Sequence, residues 1–170
     1  LSLKESVYLT NAIVNTGEKL NFKNKIIVDK HCVGGVAGNR TTMIVIPIIA
    51  ALGYKMPKTS SRAITSASGT ADTVETIAPV TLSKSKIEKL VKKTNACMVW
   101  GGSVNIAAAD DKLIKIRHPL SIDPEGMLLA SIMAKKKAVG ATHVLIDIPY
   151  GPSAKLKNKR QAKNLKKSFE

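Results

Sequence analysis

Lys25-Ile26-Ile27-Val28-Asp29-Lys30-His31-Cys32-Val33-Gly34-Gly35-Val36-Ala37-Gly38-Asn39-Arg40-Thr41-Thr42 is the stretch on which the reading of the fold turns. Residues 25–28 form a short β-branched run that predicts a strand, and the polar, glycine-rich residues after it predict a loop. Thr41 and Thr42 can cap the apolar segment that follows, which passes through Ile44, Val45, Ile48 and Ile49 to Leu52 and stops at Gly53. Pro47 inside that helix removes one backbone hydrogen bond and kinks it.

Upstream, Leu9, Ala12 and Ile13 recur at helical spacing and the pattern stops at Gly17. Downstream, a second unit begins at Tyr54 and crosses a Ser/Thr-rich segment in which Gly69 and Thr70 precede another helix start. Ser85-Lys86-Ile87-Glu88 has capping-box spacing, and Ile87, Leu90 and Val91 supply an apolar stripe. Ala96-Cys97-Met98-Val99-Trp100 predicts a strand closed by Gly101-Gly102. Asp123-Pro124 predicts an N-cap and a first helical position, for a helix running to about Gly140. Val144-Leu145-Ile146-Asp147-Ile148 predicts a buried strand. Strands alternating with helices make an α/β fold with a mostly parallel sheet flanked by helices on both faces, and ligands of such folds collect where strands end. There is no internal repeat and no low-complexity linker.

With 170 residues, 44% of them hydrophobic and 23% charged, the chain can bury one sizeable core. The longest apolar stretch, residues 43–52, is too short to cross a bilayer. The opening residues have neither an initiator Met nor a signal-peptide pattern, so the expectation is a soluble, cytoplasmic protein cut from a longer chain. Cys32 and Cys97 make no disulfide framework, and His31, His118 and His143 are scattered without ligand spacing, so no metal is expected. A net charge of +15 raises nucleic acid as a competing partner. However, Lys155, Lys157, Lys159, Arg160, Lys163, Lys166 and Lys167 crowd near one end without interleaved aromatic residues, which favours a solvated helix face.

Two segments carry chemistry. In residues 29–42, glycines allow close backbone approach to an anion, the helix start offers free N–H groups, and Lys30 adds a charge; the segment reads equally as a phosphate cradle or an ordinary strand-to-helix turn. Ser60-Ser61-Arg62-Ala63-Ile64-Thr65-Ser66-Ala67-Ser68-Gly69-Thr70 places six hydroxyls and one guanidinium ahead of a helix. Hydroxyls bond phosphate or ribose, and arginine grips phosphate through two parallel bonds. Two such loops at successive strand ends converge on one crevice, which favours anion binding.

Lys30-His31-Cys32-Val33-Gly34-Gly35 resembles the Lys-His-Ser-x-Gly-Gly signature of thymidine and pyrimidine nucleoside phosphorylases. Gly38-Asn39 and Ser61-Arg62-Ala63-Ile64-Thr65-Ser66 resemble the archaeal-type AMP phosphorylase branch of that family, as do Trp100-Gly101-Gly102, Pro119-Leu120-Ser121-Ile122-Asp123-Pro124 and Ile146-Asp147-Ile148-Pro149. The resemblance implies attack of phosphate on the sugar anomeric carbon while an acid protonates the departing base. It implies nucleotide contacts at Gly35, Ser61, Arg62, Ala63, Ile64, Thr65, Ser66, Thr70, Ser131 and Lys155, with Asp123 as proton donor. Lys30, Cys32 and Thr70 become phosphate candidates, and Arg117 and Lys135 resemble the family's base-side arginine and lysine. Cys32 departs from the signature, replacing a good hydroxyl donor by a weak thiol one. Asp123 reads from sequence alone as a helix cap, and a cap site favours the ionised carboxylate; a role as acid requires desolvation to raise its pKa.

The implied reaction is phosphorolysis of a nucleoside 5′-monophosphate: AMP and phosphate give adenine and ribose 1,5-bisphosphate, without metal or organic cofactor. A pyrimidine nucleoside phosphorylase and a basic nucleic-acid-binding module are the alternatives. By the same resemblance, residues 1–18 and 111–137 belong to a small helical lobe, residues 19–110 and 138–170 belong to an α/β lobe, and the enzyme is a homo-oligomer.

Overall fold

A computed structural model of the chain describes residues 1–33, 41–62, 69–120 and 122–170. Helix α1 (Leu3–Asn15) opens on a complete capping box, in which Ser2 Oγ accepts from the Glu5 amide and the Glu5 carboxylate accepts from the Ser2 amide. It ends where Gly17 brings its backbone so close to Asn105 and Ala107 that a Cβ there would lie 2.1 Å from the Asn105 carbonyl oxygen. The inner face of α1, with Ile13 and Val14, packs on α6 (Glu125–Ala138) and more lightly on α5 (Ala108–Leu120). The helical pattern predicted around Leu9, Ala12 and Ile13 is thus present; α5 is a helix that the apolar pattern did not indicate.

Among the described residues four strands run in two parallel pairs. β1 (Val28–Cys32) pairs with β4 (His143–Asp147), placing Cys32 opposite Asp147. β2 (Met56–Ser60) pairs with β3 (Ala96–Trp100), placing Ser60 opposite Trp100. The two pairs meet at one bridge between Ile27 and Lys55, where the Val28 amide donates to the Lys55 carbonyl at 2.8 Å. The parallel α/β architecture expected from the sequence is therefore present. Helix α2 (Thr41–Ala51) connects β1 to β2 with Pro47 inside it; α3 (Thr70–Glu75) and α4 (Lys84–Thr94) connect β2 to β3; and α7 (Lys159–Phe169) packs on α6. Gly53, at φ +84°, ends the α2 turn in the left-handed region that glycine tolerates.

Local expectations shift in four places. β1 begins at Val28 rather than Lys25, because the polar residues Asp29 and Lys30 are buried and paired inside the layer rather than looped out. β2 is a strand that the sequence pattern does not predict, since Pro57, Lys58 and Ser60 disguise it. The cap of α4 is Ser83, whose Oγ accepts from the Lys86 amide, two residues before the predicted capping box. β4 is not buried on both faces, for Leu145 is 60% exposed. Ile44 and Ile48 on α2 and Leu52 just after it are exposed as well, so neither β4 nor α2 is fully covered among the described residues.

The main core joins Ile13, Leu20, Ile87, Val91, Val99 and Ile106, and a second cluster joins Val33, Leu129, Ile132 and Leu165 under α7. On α7, Ala162 and Leu165 are buried while Lys159, Arg160, Lys163, Lys166 and Lys167 are exposed, the solvated basic face expected from composition. No helix among the described residues is long and apolar enough to cross a membrane.

Candidate functional site

Within β1 and β2 the strands carry buried charge at Asp29, Lys30 and Lys58. Asp29 is fully buried; its Oδ1 accepts from the Lys30 amide at 2.7 Å and its Oδ2 from Lys136 Nζ at 2.6 Å. Lys30 is 2% exposed, and its Nζ stands 3.1 Å from Asp147 Oδ2 on β4 but off the direction of a hydrogen bond, so its N–H groups lack an acceptor among the described residues. Lys58 on β2 is buried and donates to the Thr59 carbonyl, and Thr59 Oγ1 is a buried hydroxyl with no partner among the described residues.

His31 is half-buried, with Nδ1 shielded and unpartnered among the described residues. Burial, and then the charges of Lys136, Lys58, Lys135 and Lys30, push its imidazole well below the usual histidine range, so it is neutral at pH 7. The four lysines that act on it come from β1, β2 and α6. The fold therefore draws Lys30 and Lys135 of the predicted set into one cationic cluster, together with Lys58 and Lys136.

Sequence reasoning missed Lys136 and Lys58. Lys135, Lys136 and Lys137 fan across roughly 200° of α6 at 100° per residue, so a helix this deeply buried must turn at least one of them inward. That signal was available. For Lys58 there was none until the strand itself was known.

A second group sits between α5 and α6. Ser131 Oγ donates to Asp110 Oδ2 at 2.9 Å, Lys135 Nζ donates to Ser131 Oγ at 2.9 Å, and Lys135 is ion-paired with Asp110. All three are buried, and Asp110 Oδ1 has no partner among the described residues. The sequence motifs point to Ser131 and Lys135 but not to Asp110. The Asp111 carboxyl, next along α5, is pushed up by burial, against the opposing pull of Lys135.

Asp123 lies between two cations. Its Oδ1 is 3.2 Å from Arg117 Nη1, and its Oδ2 accepts from Lys155 Nζ. This corrects the reading of Asp123 as a cap. Pro124 is the N-cap of α6, and the Met127 and Leu128 amides bond to its carbonyl, while the Asp123 side chain turns to Arg117 and Lys155. Three predicted residues thus meet in one ion-pair network.

Arg62 behaves differently from its expected role as an anion clamp. Its guanidinium donates to Asp72 at 3.0 Å and to both oxygens of Glu75 at 2.6 and 2.9 Å, and lies over the Trp100 ring at 4.7 Å. These carboxylates raise its pKa further above the ordinary arginine value. In this arrangement Arg62 is already neutralised. Thr70 is half-buried at the first position of α3, Ser61 follows β2, and Cys32 is the half-buried last residue of β1. Gly35, Ala63, Ile64, Thr65 and Ser66 lie outside the described residues. No metal-ligating cluster of His, Cys, Asp and Glu occurs among the described residues.

Parallel strands with lysines buried at their middle positions, beside two lysines of α6, define an α/β protein with a buried cationic cluster. Residues 24–154 match the family described as "Glycosyl transferase family, a/b domain", and the chain belongs to that family. It is 54% identical over 170 residues to a protein of Legionella pneumophila (strain Corby) named "Putative thymidine phosphorylase", covering 100% of this chain and 33% of that one. It is also 54% identical over 160 residues to an AMP phosphorylase of Thermofilum pendens, covering 94% of this chain and 31% of that one. The chain therefore spans about a third of the length of the curated relatives it matches. Among solved structures, anthranilate phosphoribosyltransferase from Saccharomyces cerevisiae, in complex with PRPP and Mg, superposes with a TM-score of 0.66 at 14% identity, covering 96% of this chain and 44% of that one. The Thermus thermophilus enzyme of the same name gives 0.60 at 18%, over 86% of this chain and 44% of that one. These two likenesses concern the fold.

Proposed function

We propose that this chain is the central part of a phosphorylase that splits the N-glycosidic bond of nucleoside 5′-monophosphates, converting AMP and phosphate to adenine and ribose 1,5-bisphosphate. The observation that carries the reading is the buried lysine cluster on β1, β2 and α6, in which Lys30 points N–H groups at no acceptor among the described residues. An anion delivered there supplies the missing acceptor. In this scheme Lys30, Cys32 and Thr70 hold the attacking phosphate, while Gly35, Ser61, Arg62, Ala63, Ile64, Thr65, Ser66, Thr70, Ser131 and Lys155 contact the nucleotide. Arg117 and Lys135 serve the base side and Asp123 protonates it. The chemistry calls for neither a metal nor an organic cofactor, and a homo-oligomer of the intact enzyme is part of the reading.

One observation favours a second reading, a pyrimidine nucleoside phosphorylase. Arg62, the residue best suited to a 5′-phosphate, is held by Asp72 and Glu75, so a nucleotide must displace those carboxylates or be held by other residues. Base release from AMP and from thymidine, measured with phosphate and the intact polypeptide that carries these residues, separates the two: release from AMP supports the first, from thymidine alone the second. Lys30→Ala is expected to raise the KM for phosphate by about 10- to 100-fold, the equivalent of one charge-assisted hydrogen bond. An unchanged KM removes Lys30 from the phosphate site.

A further inference from the structure

Three of the clustered lysines have carboxylate partners: Lys136 with Asp29, Lys30 with Asp147 and Lys135 with Asp110. Lys58 is the fourth. It is 3% exposed, no carboxylate pairs with it among the described residues, and a backbone carbonyl is its acceptor. A buried ammonium without a counter-ion is costly, and three neighbouring lysines add to that cost. We propose that Lys58 is a positioning residue for the phosphate site, its charge completed by the bound anion, so that phosphate binding and protonation of Lys58 occur together. The inference rests on the phosphorylase reading for the identity of the anion.

The charged and titratable groups that act on Lys58 come from β1, β3 and α6. β1 contributes Asp29 and Lys30, with the neutral His31 beside them; α6 contributes Lys135 and Lys136. β3 contributes the Cys97 thiol, pushed up to about 12 by burial and so uncharged. Asp147 is ion-paired with Lys30 and Asp110 with Lys135. Burial first, then Lys136, lower the Lys58 ammonium to about 7, with Asp29 opposing and Lys135 and Lys30 adding smaller depressions. A phosphate dianion beside Lys30 acts in the opposite direction and raises it.

The sign follows from linkage. Below pH about 7 Lys58 is already protonated in the free protein, and binding draws no proton to it. Above that pH binding must draw one in, and phosphate affinity weakens by up to about tenfold per pH unit until the pKa of the bound state is reached.

Calorimetric titration of phosphate into the intact polypeptide at about pH 8.5, in buffers of low and high ionisation enthalpy, counts the protons taken up. Free phosphate is a dianion there, and wild type is expected to take up about half a proton or more per phosphate bound. Lys58→Met should abolish that uptake and flatten the pH dependence of the phosphate KM. No uptake by wild type, or equal uptake by Lys58→Met, overturns the role of Lys58 while leaving phosphate binding and phosphorolysis in place. Absence of any phosphate binding by wild type overturns the phosphorylase reading, and the role of Lys58 with it.

Discussion

Lys136→Met is expected to destabilise the fold by about 3–5 kcal/mol, the range for removing one partner of a buried ion pair. Asp29 and Lys136 are 0% and 1% exposed and meet at 2.6 Å, so truncating the cation leaves a carboxylate in the interior with only the Lys30 amide as donor among the described residues. Methionine fills the space of the lysine stem, which confines the loss to the charge rather than a cavity. Lys58 is the neighbouring cation best placed to take over, since Asp29 already acts on it. The single variant should therefore fall near the lower end of the range, and Lys58→Met/Lys136→Met near the upper. Adding Asp29→Asn to Lys136→Met should recover part of the loss, because the amide oxygen still serves the Lys30 amide without a buried charge. Urea midpoints of the four proteins test this. If Lys136→Met unfolds at the wild-type midpoint, the pair is solvated in solution and does not organise β1.

This pair also explains where sequence reasoning stopped. Apolar periodicity located α1, the stripe of α4 and the whole of β3, since those elements are held by Ile13, Val14, Ile87, Val91 and Val99 in the core. It failed on β1 because the decisive side chains of that strand are Asp29 and Lys30. Their burial depends on α6 and β4, more than a hundred residues away in sequence, and a local window reads them as loop. β2 failed for the same reason, with Lys58 at its centre. The candidate site was legible where motif resemblance reached it, as in Lys30, Asp123, Ser131, Lys135 and Lys155. Asp29, Lys58, Asp110 and Lys136, which set the electrostatics around those residues, were not legible. Their role comes from burial and contacts across elements, which residue type does not announce; only the lysine run on α6 hinted at Lys136.

Asp123→Asn is expected to lower turnover of AMP by about 10²- to 10⁴-fold, the usual contribution of a general acid. Asp123 is 14% exposed in its side chain and bridges Arg117 from α5 to Lys155 beyond β4. To protonate a departing base it must loosen at least one of these cations, and an incoming nucleotide that draws Lys155 to itself would do so. Asparagine keeps one oxygen to accept from Arg117 or Lys155 but has no proton to give from that position. Because Pro124 rather than Asp123 caps α6, the helix start is not altered by the change, but the buried Arg117 keeps only an amide oxygen in place of its counter-ion, so stability should fall by about 1–3 kcal/mol and turnover is compared where both proteins are folded. The loss should also be smaller for a substrate whose leaving base is a stable anion, since that bond breaks with less proton transfer. A different pattern, higher KM for AMP with turnover retained, would assign Asp123 to holding Arg117 and Lys155 in place. The acid would then have to be sought elsewhere, beginning with Asp111, the α5 carboxyl that burial pushes up.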